Sequence, residues 1–174
     1  MALVGVATAV RRNTRSASDL DLRKVGFPRG GSVSRAAVVG GTLGAMTPEE
    51  TVDEFIRRVV AVDLDGAAEL VSDDLEYDNV PIGKVSGPEG LKSFLSAMVS
   101  GIDEVVFVIH RQTAAGNTVM NERTDRFRLG ENWIDLPVAG VFEVGDDGKI
   151  VLWRDYFDAA TFYSQLETVT ATAS

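Results

Sequence analysis

Three stretches of the chain put polar residues where chemistry could follow. In a strand, side chains two apart share a face. Tyr77 therefore pairs with Asn79 in "YDN", and Asn121, Arg123 and Asp125 fall together in "NERTDRF". They share that face with the apolar residues Val119, Phe127 and Leu129. In "LWRDYFD", Asp155 is placed with Val151, Trp153 and Phe157, while Arg154 points the other way. A charge on a buried face is unfavourable unless it is paired and hydrogen-bonded, so these residues either satisfy one another or serve a site.

Two carboxylates and one guanidinium suggest a division of labour. The planar fork of arginine can bond both carboxylates and hold each in a fixed orientation. Two carboxyl groups in different environments can supply one acid and one base at neutral pH. A tyrosine hydroxyl, an asparagine amide and the base carboxylate would together hold one water, aimed to attack. The other carboxyl, kept protonated, would donate to a leaving oxygen. The implied reaction is a one-step, push–pull addition of water to a strained ether. Judged alone, Arg123 and Asp125 also read as a structural cross-strand ion pair, and Tyr77 as a core aromatic with a satisfied hydroxyl.

The elements that must position these residues follow from the pattern. Thr47-Pro48-Glu49-Glu50 offers an N-cap, a proline at the first helical position and a capping-box glutamate. Val52, Phe55, Ile56, Val59 and Val60 then mark the apolar stripe of a helix. Asp65-Gly66 is expected to break it, with a short helix at 67–71 and a strand at 75–81 stopped by Pro81. Ser86 to Glu89 opens another helix, with Leu91, Phe94, Leu95 and Met98 inward and Gly101 near its end. Strands at 104–113, 118–129, 133–144 and 150–157 are separated by turn-forming residues, and a short helix at 159–166 closes the order. The "GDDGK" at 145–149 resembles a calcium loop in composition, but a hairpin turn accounts for it. His110 is expected to pack or cap in the sheet and is assigned no role. Helices first and an antiparallel meander afterwards predict an α+β fold, with helices on one face of a curved sheet and a pocket at its mouth.

Composition narrows the function classes. The chain has 174 residues, no cysteine, one histidine and a net charge of −9. Disulfides and thiolate chemistry are absent, and a zinc or multi-histidine site is not expected. The negative charge argues against nucleic acid or an anionic membrane as partner. No run reaches the ~18 apolar residues of a membrane span. A cytoplasmic location is expected. Residues 1–45 carry seven Lys/Arg and two Asp, a net of +5, and residues 46–174 carry −14. This first segment lacks periodicity and reads as a disordered basic leader. An export signal and sequence upstream of a true start at Met46 are the alternatives; Arg11 and Arg12 resemble a twin-arginine signal, but Asp19 and Asp21 intervene before the apolar run.

The motifs "YDN", "ERTD" and "WRDYFD", in this order and spacing, resemble the limonene-1,2-epoxide hydrolase family, over roughly residues 47–166. The resemblance implies the cone-shaped NTF2-like (SnoaL-like) fold, a largely antiparallel mixed sheet and a catalytic domain at 46–168, with 169–174 as a tail. It further implies Asp155 as general base, Tyr77 and Asn79 as holders of the water, Asp125 as general acid, and Arg123 as the bridge between the carboxylates. Trp153 and Phe157 would line the pocket, and the apolar set Met98, Leu136, Val138 and Phe142 (with Phe94) favours a hydrophobic epoxide. No metal or cofactor is implied, and such proteins are typically homodimers. The fold also carries ketosteroid isomerases, polyketide cyclases and non-catalytic binding modules, so it cannot decide function by itself.

Overall fold

The computed structural model describes residues 46–172, so the expectations for residues 1–45 lie outside the described residues. Helix α1 (Pro48–Val60) starts as its sequence requires. The Glu50 N–H donates to Thr47 Oγ1 and the Thr47 N–H donates to the Glu50 carboxylate, closing the capping box. Its stripe buries Val52, Phe55, Ile56 and Val59. The break falls earlier than expected. Val62 takes a left-handed conformation (φ 57°) and turns the chain. Asp63 then caps α2 (Leu64–Glu69) by accepting from the Gly66 N–H at 3.0 Å. Asp65-Gly66 thus lies inside the second helix. A β-carbon on Gly66 would collide with the capping carboxylate and with Arg58, which is why glycine stands there.

Strands β1 (Val71–Asn79), β2 (Gly83–Ser86), β3 (Glu104–Ala115), β4 (Thr118–Leu129), β5 (Asn132–Val144) and β6 (Ile150–Tyr156) form one sheet. Their order is β2-β1-β6-β5-β4-β3. Only β1 and β6 run parallel; the other neighbours are antiparallel. The short edge strand β2 was not expected. Helix α3 (Gly87–Val99) follows it, and α4 (Ala159–Thr172) runs well past residue 166, burying Leu166 and Val169. A bulge in β6, where Ile150 pairs with Val144 but Leu152 with Glu143, brings Ile150 rather than Val151 to the inner face with Trp153.

Helix α4 covers an opening in the sheet. Strand β6 pairs with β5 only from Ala139 to Val144, so no described strand pairs with the first half of β5 on that side. There the Asp135 N–H donates to Gln165 Oε1 at 2.9 Å, and Gln165 Nε2 donates to the Asp135 carbonyl at 2.8 Å. A side-chain amide stands in for a missing strand.

The core has two lobes. One, under α1, includes Phe55, Tyr77, Val119, Phe142 and Trp153; the other, under α4, includes Phe127, Ile134, Leu136 and Phe162. The inner face of β4 reads Val119, Asn121, Arg123, Asp125, Phe127, so it passes from one apolar lobe to the other through three buried polar residues. The site lies at that seam.

Candidate active site

Strand register assembles the site in rows. Tyr77, Trp153, Phe142 and Val119 are paired across β1, β6, β5 and β4. In the next inward-facing row stand Asn79, Asp155, Gly140, Asn121 and Gln112, paired across five strands. Arg123 and Asp125 occupy the two rows beyond, on β4. An apolar row therefore underlies a polar one. Arg123 must reach back over β5 to touch Asp155, and it does so across Gly140. A β-carbon at Gly140 would overlap Arg123 Nη1 and approach Asn121 Oδ1 to 2.8 Å. Glycine leaves the space through which β4 and β6 communicate.

The guanidinium joins the two carboxylates. Arg123 Nε and Nη2 donate to the two oxygens of Asp125 at 2.7 and 3.1 Å, and Nη2 donates also to Asp155 Oδ2 at 2.8 Å. Asp155 Oδ1 accepts from the indole N–H of Trp153 at 2.8 Å. Arg123 is 1% exposed, Asp155 4% and Asp125 5%, so the whole unit is out of water. The face of the guanidinium is 5.0 Å from the centre of the Phe107 ring, a cation–π contact.

Burial drives the electrostatics. Desolvation pushes the Asp125 carboxyl up to about 7, against the pull of Arg123 and with a smaller push from the Asp155 charge. Desolvation also raises Asp155, opposed by Arg123 and the Trp153 N–H. Desolvation works against the Arg123 charge as well, but the two carboxylates outweigh it and hold the guanidinium charged. One cation facing two buried carboxyls is neutral when the pair keeps one proton. The two carboxyls therefore titrate as a coupled unit, and burial favours the state that keeps that proton. Tyr77, raised well above its ordinary value by burial and then by the Asp155 charge, stays a neutral hydroxyl.

Tyr77 and Asn79 complete the polar end. Asn79 Nδ2 donates to Tyr77 Oη at 2.8 Å, which leaves the tyrosine proton free to donate. Asn79 Oδ1 is buried with no hydrogen-bond partner among the described residues. Tyr77 is held by its ring, stacked on Trp153 at 4.1 Å and edge-on to Phe94 at 5.2 Å.

These groups open into a pocket between the sheet, α3 and α4. Its walls include Tyr77, Asn79, Asp125 and Asp155, and are otherwise apolar or aromatic. The expected lining residues Met98, Leu136, Val138, Trp153 and Phe157 are there. Phe142 is not. Alternation put it correctly on the inner face, but the Trp153 indole stands next to it, stacked at 5.7 Å, and Phe142 faces Phe55 under α1. It belongs to the core. Arg123 is also absent from the wall and stands behind the carboxylates. Sequence reasoning missed Ile82, Phe107 and Phe162 as wall residues. Ile82 sits in the turn after Pro81, whose fold back over Asn79 depends on the Ile82 N–H bond to the Asn79 carbonyl. Among the described residues no group of three His, Asp or Glu is placed to hold a metal ion. His110 lies outside the site, bonded to Thr124 Oγ1 on the opposite face of the sheet.

Comparison with known proteins gives the family and the fold. Residues 46–168 match the family model of the limonene-1,2-epoxide hydrolase catalytic domain. Epoxide hydrolase EphG of Mycobacterium tuberculosis is 38% identical over 115 residues, covering 66% of this chain and 76% of that protein. The solved structure of an M. tuberculosis LEH-like epoxide hydrolase is 33% identical, covers 72% of this chain and 94% of its own, and superposes with a TM-score of 0.62. An NTF2-like protein of Burkholderia pseudomallei K96243, at 19% identity, coverage of 69% and 98% and a TM-score of 0.62, shares the fold alone. The α+β architecture is thus the NTF2-like one. The chain belongs to the limonene-1,2-epoxide hydrolase family and is an epoxide hydrolase of that type.

Proposed function

We propose that the enzyme adds water directly to a hydrophobic epoxide, in one step, with Asp155 and Asp125 as base and acid. The observation that carries this reading is the single guanidinium bonded to both carboxylates, which makes the one-proton state of the pair the neutral one. The water accepts from Tyr77 Oη and donates to Asn79 Oδ1 and to Asp155, which faces Asn79 across the β1–β6 pairing. As its oxygen bonds to an epoxide carbon, Asp155 takes a water proton. The carbon–oxygen bond breaks, and Asp125 gives its proton to the released oxygen. The products are a vicinal diol and a pair whose proton has moved from Asp125 to Asp155. Return of that proton to Asp125 resets the site.

The apolar walls support an epoxide borne on a hydrocarbon body. Away from the catalytic end the described residues offer the wall no polar side chain, so a second polar group there would be desolvated without a partner among them. The relationship to epoxide hydrolase EphG supports the reaction class. The decisive experiment is a single turnover with excess enzyme in oxygen-18 water. Direct attack puts the heavy isotope into the first diol formed; a first diol without it would mean an aspartyl ester intermediate and would overturn the mechanism.

A homodimer is the second part of the proposal. The sheet face opposite the helices exposes Val108, Met120 and Tyr156 and is covered by none of the described residues. Light scattering at micromolar concentration should give twice the chain mass, and Met120→Lys should reduce it to one.

A further inference from the structure

Arg123 has a third partner that the acid–base mechanism does not use. Its Nη1, on the edge away from Asp125, donates to Asn121 Oδ1 at 3.0 Å. Asn121 Nδ2 donates to Gln112 Oε1 at 3.2 Å, and Gln112 Nε2 donates to Asp53 Oδ1 of α1 at 2.8 Å. The chain of bonds is polarised from both ends. Arginine can only donate, so Asn121 must turn its oxygen toward it and its nitrogen away. Asp53 Oδ1 accepts from the Gln112 nitrogen, so Gln112 turns its nitrogen outward and its oxygen toward Asn121. The two demands agree, and both amides have one consistent orientation. Neither Asn121 nor Gln112 lines the pocket, yet Asn121 is 5% exposed.

We propose that Asn121, braced by Gln112, is a positioning residue that fixes the rotation of the Arg123 guanidinium so that one nitrogen, Nη2, reaches both carboxylates. The Asp125 fork alone sets two N–H directions but leaves the group free to swing with Asp125, away from Asp155. A bond on the opposite edge stops that swing. Gly140 leaves the room for it, since a β-carbon there would fall on Arg123 Nη1 and Asn121 Oδ1. The acceptor is also uncharged. An aspartate at 121 would accept equally well but would place a third carboxylate on one guanidinium, raising the proton affinity of the catalytic pair.

This inference rests on the proposed acid–base reading, and its test separates the two. Asn121→Leu, Asn121→Asp and Gln112→Leu are compared with the full-length enzyme by steady-state kinetics on an apolar epoxide. In parallel, carbon-13 NMR follows the aspartate carboxyls against pH in the resting protein. Asn121→Leu should lower kcat about tenfold with KM within about twofold, as expected for misorientation without lost substrate contacts. Gln112→Leu should lower kcat about threefold in the same pattern. Asn121→Asp should raise the midpoint of the shared proton by about half a pH unit or more and shift the basic limb of the rate profile with it. Wild-type kcat in both leucine variants, or carboxyl titrations in Asn121→Asp that match the wild type, would overturn the positioning role. If Asn121→Leu fails to fold, Gln112→Leu and Asn121→Asp decide. If the wild type forms no diol, the acid–base reading fails, while the NMR titrations still report whether residue 121 acts on the pair.

Discussion

Gly140 and Arg123 occupy complementary space: the side chain that glycine lacks is the volume that the Arg123 Nη1 fills. Strand β5 lies between the strands that carry Arg123 and Asp155, and any β-carbon in that register would separate them. Gly140→Ala should therefore fold, since β5 is paired on both sides there, but lose ~10²-fold or more in kcat through displacement of the guanidinium. Circular dichroism and kcat together check this. A variant with near-normal turnover would show that Arg123 can shift without consequence.

Arg123→Lys tests the fork. An ammonium is a point charge and cannot make the paired bonds to Asp125 while also reaching Asp155. Turnover should fall by at least ~10²-fold even though the charge is kept. Activity within a few-fold of wild type would reduce Arg123 to a source of positive charge.

The two aspartates should be separable in role and inseparable in energy. On the proposed mechanism, Asp155→Asn removes the acceptor for the water proton, and Asp125→Asn removes the donor to the leaving oxygen. Each should lower kcat by ~10² to 10⁴. The double variant should lose little more than the worse single one, because both groups act in one transition state. Losses that simply multiply would argue for two independent steps.

Stability should carry the mark of the shared proton. Asp125 sits at about 7 in the folded protein, above the ~3.9 of an unfolded aspartate. The folded state holds a proton that the unfolded state releases. The stability contributed by that proton is complete below ~pH 4 and is lost as pH rises through about 7. Asp155, also raised by burial, acts in the same direction. Urea unfolding should show Asp125→Asn gaining on the wild type across this window, and on the proposed mechanism turnover should fall above neutrality as Asp125 ionises. Parallel stability profiles for the two proteins would contradict the raised carboxyl.

The polar site was legible where strand periodicity holds and obscured where it fails. Alternation alone put Asn121, Arg123 and Asp125 on one inner face and joined Tyr77 to Asn79, as the structure has them. The capping box at Thr47 and the turn chemistry after Val144 were equally local signals. The bulge in β6 was invisible because an inserted residue leaves no mark in a run of apolar side chains, so Val151 was grouped with Trp153 where Ile150 belongs. The helix break was misplaced because Asp65-Gly66 looks like a stop, whereas the stop is a left-handed valine that sequence rules disfavour. Phe142 was misassigned for a different reason. Facing inward does not say which lobe a residue enters, and that depends on Trp153 standing between Phe142 and the pocket. Gly140 carried no signal by itself; its purpose exists only across three strands.

The placement of Trp153 gives the molecule an optical property. Only one other tryptophan is present in the sequence, Trp133, which lies with the Arg126 guanidinium 4.5 Å over its ring. Trp153 is buried, stacked on Tyr77 and bonded through its indole N–H to Asp155. The indole excited state is sensitive to a charge on its own hydrogen-bond partner, so ionisation of Asp155 should change the emission of Trp153 through a single 2.8 Å contact. With Trp133 replaced by phenylalanine and excitation confined to indole, Trp153 emission should report the charge on the buried Asp155, readable with no substrate added.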